Sequence, residues 1–212
     1  MPSPGPFMKP ASILFVTGTD TGVGKTVFAA LAAILLRQHG RRVVALKPIC
    51  SGGRDDARLL HAAAGRILPL DQVNPWHFRA ALAPVLAARK AKQRVRLRQV
   101  VTHIQRVAKQ FEVVMVEGAG GLLSPLGEDF DSRDLIAALS ATPIVVCPNK
   151  LGAVNQVRLV LEALPPATAR RARVVLVNPA RPDAASRTNL ELLRAFVDKK
   201  CLRVMPWLGK PD

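Results

Sequence analysis

The sequence predicts an α/β domain built on a mostly parallel β-sheet with helices on both faces. Three observations carry this. Short, almost wholly apolar runs such as Ile13-Leu14-Phe15-Val16 and Val113-Val114-Met115-Val116 read as strands buried on both sides. Helical stretches separate these runs, which is the rhythm of parallel crossovers. A glycine-rich loop follows the first run directly and opens into a helix, as strands carrying a phosphate site do.

In chain order, a proline-rich tail is expected over 1–11, and a single domain over 12–212. Strand 12–17 leads into loop 18–24 and helix 25–39, which Gly40 ends by supplying a left-handed cap. Strand 42–47 stops at Lys47-Pro48. A short helix follows over 55–63. Residues 67–80 read as irregular, with Asn74-Pro75-Trp76 as a turn. Helices are predicted over 81–88 and 97–110, then strand 112–117, which ends on Glu117 and enters Gly118-Ala119-Gly120-Gly121. Helix 131–140, strand 143–147, loop 148–152, helix 153–163, strand 173–177, helix 186–198 and strand 201–205 complete the alternation.

Composition narrows the class. With 212 residues, the chain suits one domain that buries roughly 70% of its extended surface. Hydrophobic residues make up 49% and aromatics 4%, with no tyrosine, so the core must rest on Ala, Val and Leu. No stretch resembles a signal peptide and no run of eighteen apolar residues exists, so a membrane span is excluded. Cys50, Cys147 and Cys201 are odd in number and widely spaced, which fits reduced thiols in a cytoplasmic protein better than disulfides or zinc. The net charge of +16 favours anionic partners. Its densest stretch, residues 89–98, has six basic residues and no aromatic interleaving. That pattern reads as a solvated segment leading into a helix and disfavours nucleic acid as a partner.

The chemistry begins at Gly18-Thr19-Asp20-Thr21-Gly22-Val23-Gly24-Lys25-Thr26. Gly22 and Gly24 let backbone N–H groups converge on phosphate oxygens, and the following helix turns its positive end toward them. Lys25 supplies a point charge for the β- and γ-phosphates, and the Thr26 hydroxyl a ligand for Mg²⁺. The fold is therefore expected to be P-loop nucleoside triphosphate hydrolase-like, binding ATP and Mg²⁺. The first glycine is displaced: Gly18 lies one residue early, and Thr19 stands where the pattern has glycine.

Other polar residues gather at predicted strand ends, where ligands of such sheets bind. Lys47 could flank a transferring phosphoryl group opposite Lys25, with Ser51 adding a hydroxyl donor. Glu117 ends an apolar strand where an acid in the core would be costly, which favours a magnesium role. Asp56 is a second carboxylate, although the Asp55-Asp56 pair also suits the first turn of a helix. Residues 118–121 could hold a second anion or form a tight turn. No histidine has ligand spacing and no nucleophile–histidine–acid pattern occurs. Trp76 and Trp207, taken alone, read as packing residues.

Together these segments resemble the dethiobiotin synthetase family. The match is made by residues 15–26, by Lys47-Pro48-Ile49-Cys50-Ser51-Gly52, by Asn74-Pro75 with Phe78, and by Val116-Glu117-Gly118-Ala119-Gly120-Gly121 with Ser124-Pro125-Leu126. Lys150-Leu151-Gly152 with Asn155, and Pro206-Trp207-Leu208, extend it. The displaced glycine is itself a trait of that family. The resemblance implies an ATP-dependent cyclo-ligase joining 7,8-diaminopelargonate and CO₂, with release of ADP and phosphate. It implies Lys25, Lys47, Ser51 and Thr21 at the reacting groups, and Thr26, Asp56 and Glu117 around magnesium. Residues 20–26 would hold the phosphates, while Asn178, Pro206 and Trp207 would meet the adenine. Lys47, Ser51, Glu117, Gly118, Ala119, Gly120, Leu151, Gly152 and Asn155 would contact the substrate at the interface of a homodimer. Two other readings stay open here: a P-loop ATPase of the partitioning or metal-insertion type, and a basic nucleic-acid-binding protein with a degenerate P-loop core.

Overall fold

The strands order themselves around the first apolar run. In the computed structural model, which describes residues 10–209, β1 (Ser12–Gly18) lies at the middle of a six-stranded parallel sheet. On one side it pairs with β5 (Val113–Glu117), which in turn pairs with β2 (Val43–Leu46). On the other it pairs with β6 (Thr142–Pro148), and the sheet continues through β7 (Arg173–Val177) and β8 (Leu202–Met205). The chain thus reverses its direction of winding at β1, and the loop after β1 opens into the crevice that such a reversal creates. The expected tail over 1–11 falls mainly on residues 1–9, outside the described residues.

Alternation within the strands divides the core. Phe15, Val114 and Val116 face one layer, packed with Val100, Ile104 and Val107 of α5 (Leu97–Ala108) and Leu135 and Ile136 of α6 (Ser132–Ala138). Val16, Val113 and Met115 face the other, against Ala29, Ala30 and Ala33 of α1 (Lys25–Gln38) and Leu60 of α2 (Asp55–Ala63). Small alanines let α1 approach the sheet closely, which brings its N-terminus over the strand ends. A third cluster joins Val145 and Leu176 to Val157 of α7 (Ala153–Ala163) and to Leu193. No helix among the described residues is long and apolar enough to cross a membrane.

Several expectations need correction. The region 67–80 is ordered: β3 (Ile49–Ser51) and β4 (Trp76–Phe78) form a small parallel sheet, and α3 (Leu70–Val73) precedes β4. Three-residue strands leave no period for a sequence to display. Trp76 begins β4 instead of completing a turn, and meets His103 edge-on at 5.8 Å. α4 runs Pro84–Lys90, later than 81–88, because Pro84 suits the first helical turn. Val95, expected in a solvated segment, is buried. A further short helix, α8, spans Pro166–Ala169. The predicted helix 186–198 is α9 (Ala184–Leu193), which starts earlier because Asp183 caps it through the Ser186 amide, and ends earlier. Trp207, expected to pack, is 55% exposed. Cys50 and Cys147 are buried and, with Cys201, free.

Candidate active site

β1 and α1 place the phosphate loop at the crevice. Gly24 precedes the helix with φ 97° and Gly22 has φ 72°, values that a side chain adopts only at a cost. Gly18 is needed for a different reason. A Cβ there would come within 2.6 Å of Val23 Cγ2 and 3.2 Å of Lys25 Cδ. The early glycine thus makes room for an apolar side chain folded inside the loop, and Val23 is buried.

Beside this loop lies a cleft of about 1010 Å³, lined by Thr21, Gly22, Gly24, Lys25 and Thr26 from the loop and helix start. Lys47, Ser51, Asp56, Glu117, Ala119 and Gly120 complete its polar wall, while Leu59, Ala81, Leu82 and Pro84 make an apolar side. Residues from three separate strand ends therefore meet in one place.

At the centre a buried pair, Lys47 and Glu117, meets the exposed carboxylate of Asp56. Lys47 Nζ lies 2.5 Å from Glu117 Oε1, 3.0 Å from the Gly118 carbonyl oxygen and 3.2 Å from Asp56 Oδ2. Burial alone would push the Lys47 ammonium down, yet Glu117 and Asp56 outweigh it and hold the group above its ordinary value. The Thr26 hydroxyl donates to Glu117 Oε1 at 2.9 Å. Lys25 donates to the Asp20 carbonyl at 2.6 Å, folded back on its own loop. Its pKa falls to about 8, through burial first and repulsion by Lys47 second, against the pull of Glu117, Asp56 and Asp20. Two ammonium groups are thus held at one side of the cleft, one neutralised by acids and one under-neutralised.

The same cluster tests the expected magnesium. Glu117 Oε2 is buried and has no hydrogen-bond partner, an arrangement that is costly unless a cation or another donor reaches it. Among the described residues no group of three or more His, Cys, Asp or Glu side chains could hold a metal. One or two carboxylates with a hydroxyl, completed by phosphate oxygens and water, is what Mg²⁺ usually takes. Glu117, Thr26 and Asp56 fit that description. Asp55 lines the same cleft, but its carboxylate is 89% exposed and paired with Arg58 at 2.9 Å, whereas Asp56 reaches Lys47.

Some assignments change in detail. Ser51 donates its proton to the Leu82 carbonyl at 2.6 Å, so toward the cleft it offers an acceptor and not the expected donor. The Gly118 amide is spent on the Val16 carbonyl at 3.0 Å because the ladder continues one residue beyond the strand, leaving Ala119 and Gly120 to face the cleft. Gly121 N donates to Ser124 Oγ at 2.9 Å, which makes residues 118–121 a braced turn. Asn178 lies beyond β7, next to Val177, whose side chain would touch a Cβ on Gly24 at 3.4 Å. Its amide donates to the Met205 carbonyl, and its side-chain oxygen accepts from Asn149 at 2.7 Å. Pro206 and Trp207 follow β8 nearby. Leu151, Gly152 and Asn155 do not join the cleft; they form the start of α7, where Leu151 is 83% exposed.

Sequence reasoning gave Asn149 and Asn189 no role. Both are buried, and Asn189 donates to Asn149 Oδ1 and to the Lys150 carbonyl, fixing the loop after β6. An asparagine directly after an apolar strand was the available signal.

The family model described as "AAA domain" matches residues 12–211. The chain is 39% identical over 204 residues to the ATP-dependent dethiobiotin synthetase BioD of Anaeromyxobacter dehalogenans (strain 2CP-C), covering 94% of this chain and 91% of that one. It is 34% identical over 201 residues to the protein of the same name from Bacillus subtilis (strain 168), covering 92% and 87%. Among solved structures, a ParA family ATPase from Chlorobium tepidum TLS matches with a TM-score of 0.60 at 15% identity, covering 93% of this chain and 85% of that one. That last likeness concerns the fold.

Proposed function

Because the chain belongs to the ATP-dependent dethiobiotin synthetase family, we propose that it closes the ureido ring of dethiobiotin from 7,8-diaminopelargonate and CO₂, consuming ATP in biotin biosynthesis. The observation that carries the reading is the buried Lys47–Glu117 pair, joined by the half-buried Thr26 hydroxyl, opening onto the same cleft as Lys25. One substrate amine attacks CO₂ and loses a proton, giving a carbamate. A carbamate oxygen attacks the γ-phosphorus while the bond to ADP breaks. The second amine then attacks the carbamoyl carbon, displacing phosphate and losing a proton as the ring closes.

This chain's residues serve each stage by position and charge, since in-line phosphoryl transfer needs little covalent help. Lys47 faces the carbamate and the transferring group, where its ammonium offsets growing negative charge. Lys25 leaves the Asp20 carbonyl for the β- and γ-phosphates. Ser51, its proton committed to Leu82, accepts from a substrate amine, and Thr21 lies beside the reacting carbamate. Glu117, Thr26 and Asp56 would hold Mg²⁺, which supplies charge neutralisation across the phosphate oxygens. The apolar side of the cleft suits the substrate's alkyl chain, and Ala119 and Gly120 line its path. Asn178, Pro206 and Trp207 are assigned to the adenine. Leu151, Gly152 and Asn155 are assigned to the substrate's distal carboxylate across a homodimer interface, which accounts for their place outside the single-chain cleft. Three free thiols support a cytoplasmic setting.

Phosphate release from MgATP, measured with and without 7,8-diaminopelargonate and bicarbonate, tests the reading; release indifferent to the diamine overturns it. Lys47→Ala is expected to lower product formation by about 10²–10³-fold or more while leaving the fold intact. Near-normal turnover would remove Lys47 from the reaction.

A further inference from the structure

Asn74 is 1% exposed, lies outside the cleft wall, and uses its whole amide. Its Nδ2 donates to the Lys47 carbonyl at 2.7 Å and, at a longer 3.5 Å, to the Pro48 carbonyl. Its Oδ1 accepts from Arg54 Nε at 3.0 Å and from Cys50 Sγ at 3.2 Å. Lys47 N–H is in turn held by the Val73 carbonyl at 3.0 Å. Both backbone polar groups of Lys47 are therefore gripped by residues 73 and 74. Arg54, directly before α2, also reaches the Asn74 carbonyl at 3.0 Å and Asp71 at 2.7 Å. That helix carries Asp56, the partner of Lys47.

We propose that Asn74 is a positioning residue for the ring-closing reaction: one side chain ties the strand exit that bears Lys47 to the helix start that bears Asp56. The inference rests on the ligase reading above. When substrate and phosphate draw the Lys47 ammonium away from Glu117, its backbone stays fixed, so the charge moves on a short tether. Arg54 acts on the same arrangement through Asn74. Neither residue touches the reacting atoms. Loss of the tether should therefore weaken turnover and spare nucleotide binding, because the phosphate loop is built elsewhere.

Asn74→Asp keeps the acceptor for Arg54 and removes the donor to Lys47, setting oxygen against oxygen. Expected is a kcat about 10- to 100-fold lower with the KM for MgATP within about threefold of wild type, since small misplacements of a reacting group carry costs of that order. In single-turnover phosphate release, adding Asn74→Asp to Lys47→Ala should cost less than about twofold more, as befits two residues acting through one group. Multiplying losses in the double variant, or an unchanged kcat in the single one, would overturn the inference. Should Asn74→Asp not fold, Arg54→Lys decides: it keeps the charge but loses the fork, and is expected to lower kcat at least about threefold with an unchanged KM for MgATP. An unaltered kcat there overturns the proposal. Wild type assayed alongside separates the cases, for diamine-independent release in wild type is a failure of the ligase reading itself.

Discussion

Lys25 carries a proton that the fold holds loosely. Its pKa falls from 10.5 to about 8, chiefly through burial and then through Lys47. Between these values the unfolded chain binds more protons than the native one, so this residue makes stability rise with pH from about 8 to about 10.5. Binding works the other way. Phosphate favours the charged ammonium, so affinity for MgATP should fall as pH rises past about 8, approaching about tenfold per unit. Calorimetry in buffers of differing ionisation enthalpy should show proton uptake on binding near pH 8; no uptake would sink the assignment of Lys25 to the phosphates. Lys25 itself was legible in the sequence, because the loop that holds it is contiguous. The ion pair of Lys47 with Glu117 was legible only as two suggestive strand ends, since seventy residues separate them and the parallel register of β2 with β5 brings them together. The role of Asn74 depends on contacts with Lys47, Cys50 and Arg54, which no spacing encodes.

At the scale of elements, the long strands and helices were readable because burial on both faces leaves continuous apolar runs. β3 and β4 were not, being three residues each, and their pairing depends on Pro48 and Asn74 bringing two loops alongside. Helix ends followed caps more than periodicity. α6 illustrates this: the Asp131 side chain accepts from the amides of Arg133 at 2.7 Å and Asp134 at 3.1 Å, and the Asp134 carboxylate in turn accepts from the Asp131 amide. Asp131→Ala should lower stability by about 1 kcal/mol, read as a shift in urea midpoint at constant slope. Because Ser132 and Leu135 sit against Gly118 and Phe15, beneath Glu117, turnover should become more temperature-sensitive in the same variant. A variant with the wild-type midpoint would show that the capping box contributes nothing.

For the molecule as a whole, the sheet divides the residues proposed to face ligands into two groups. Winding in opposite directions from β1 brings Lys47 and Glu117 to one side of the phosphate loop, and the start of α7 and the ends of β7 and β8 to the other. The chain carries a net charge of +16, and a surface of this sign should gather anionic nucleotide, so kcat/KM for MgATP should decline as ionic strength rises. A salt-independent value would assign the basic surface no part in capture. The exclusion of Leu151, Gly152 and Asn155 from the cleft of their own chain has a genetic consequence. In the proposed dimer, each site would draw its cleft from one chain and its α7 start from the other. A chain inactivated at Lys47 and a chain inactivated at Gly152 would then rescue each other on mixing. Half the dimers would be mixed, each with one sound site, restoring about a quarter of wild-type activity from two dead parents.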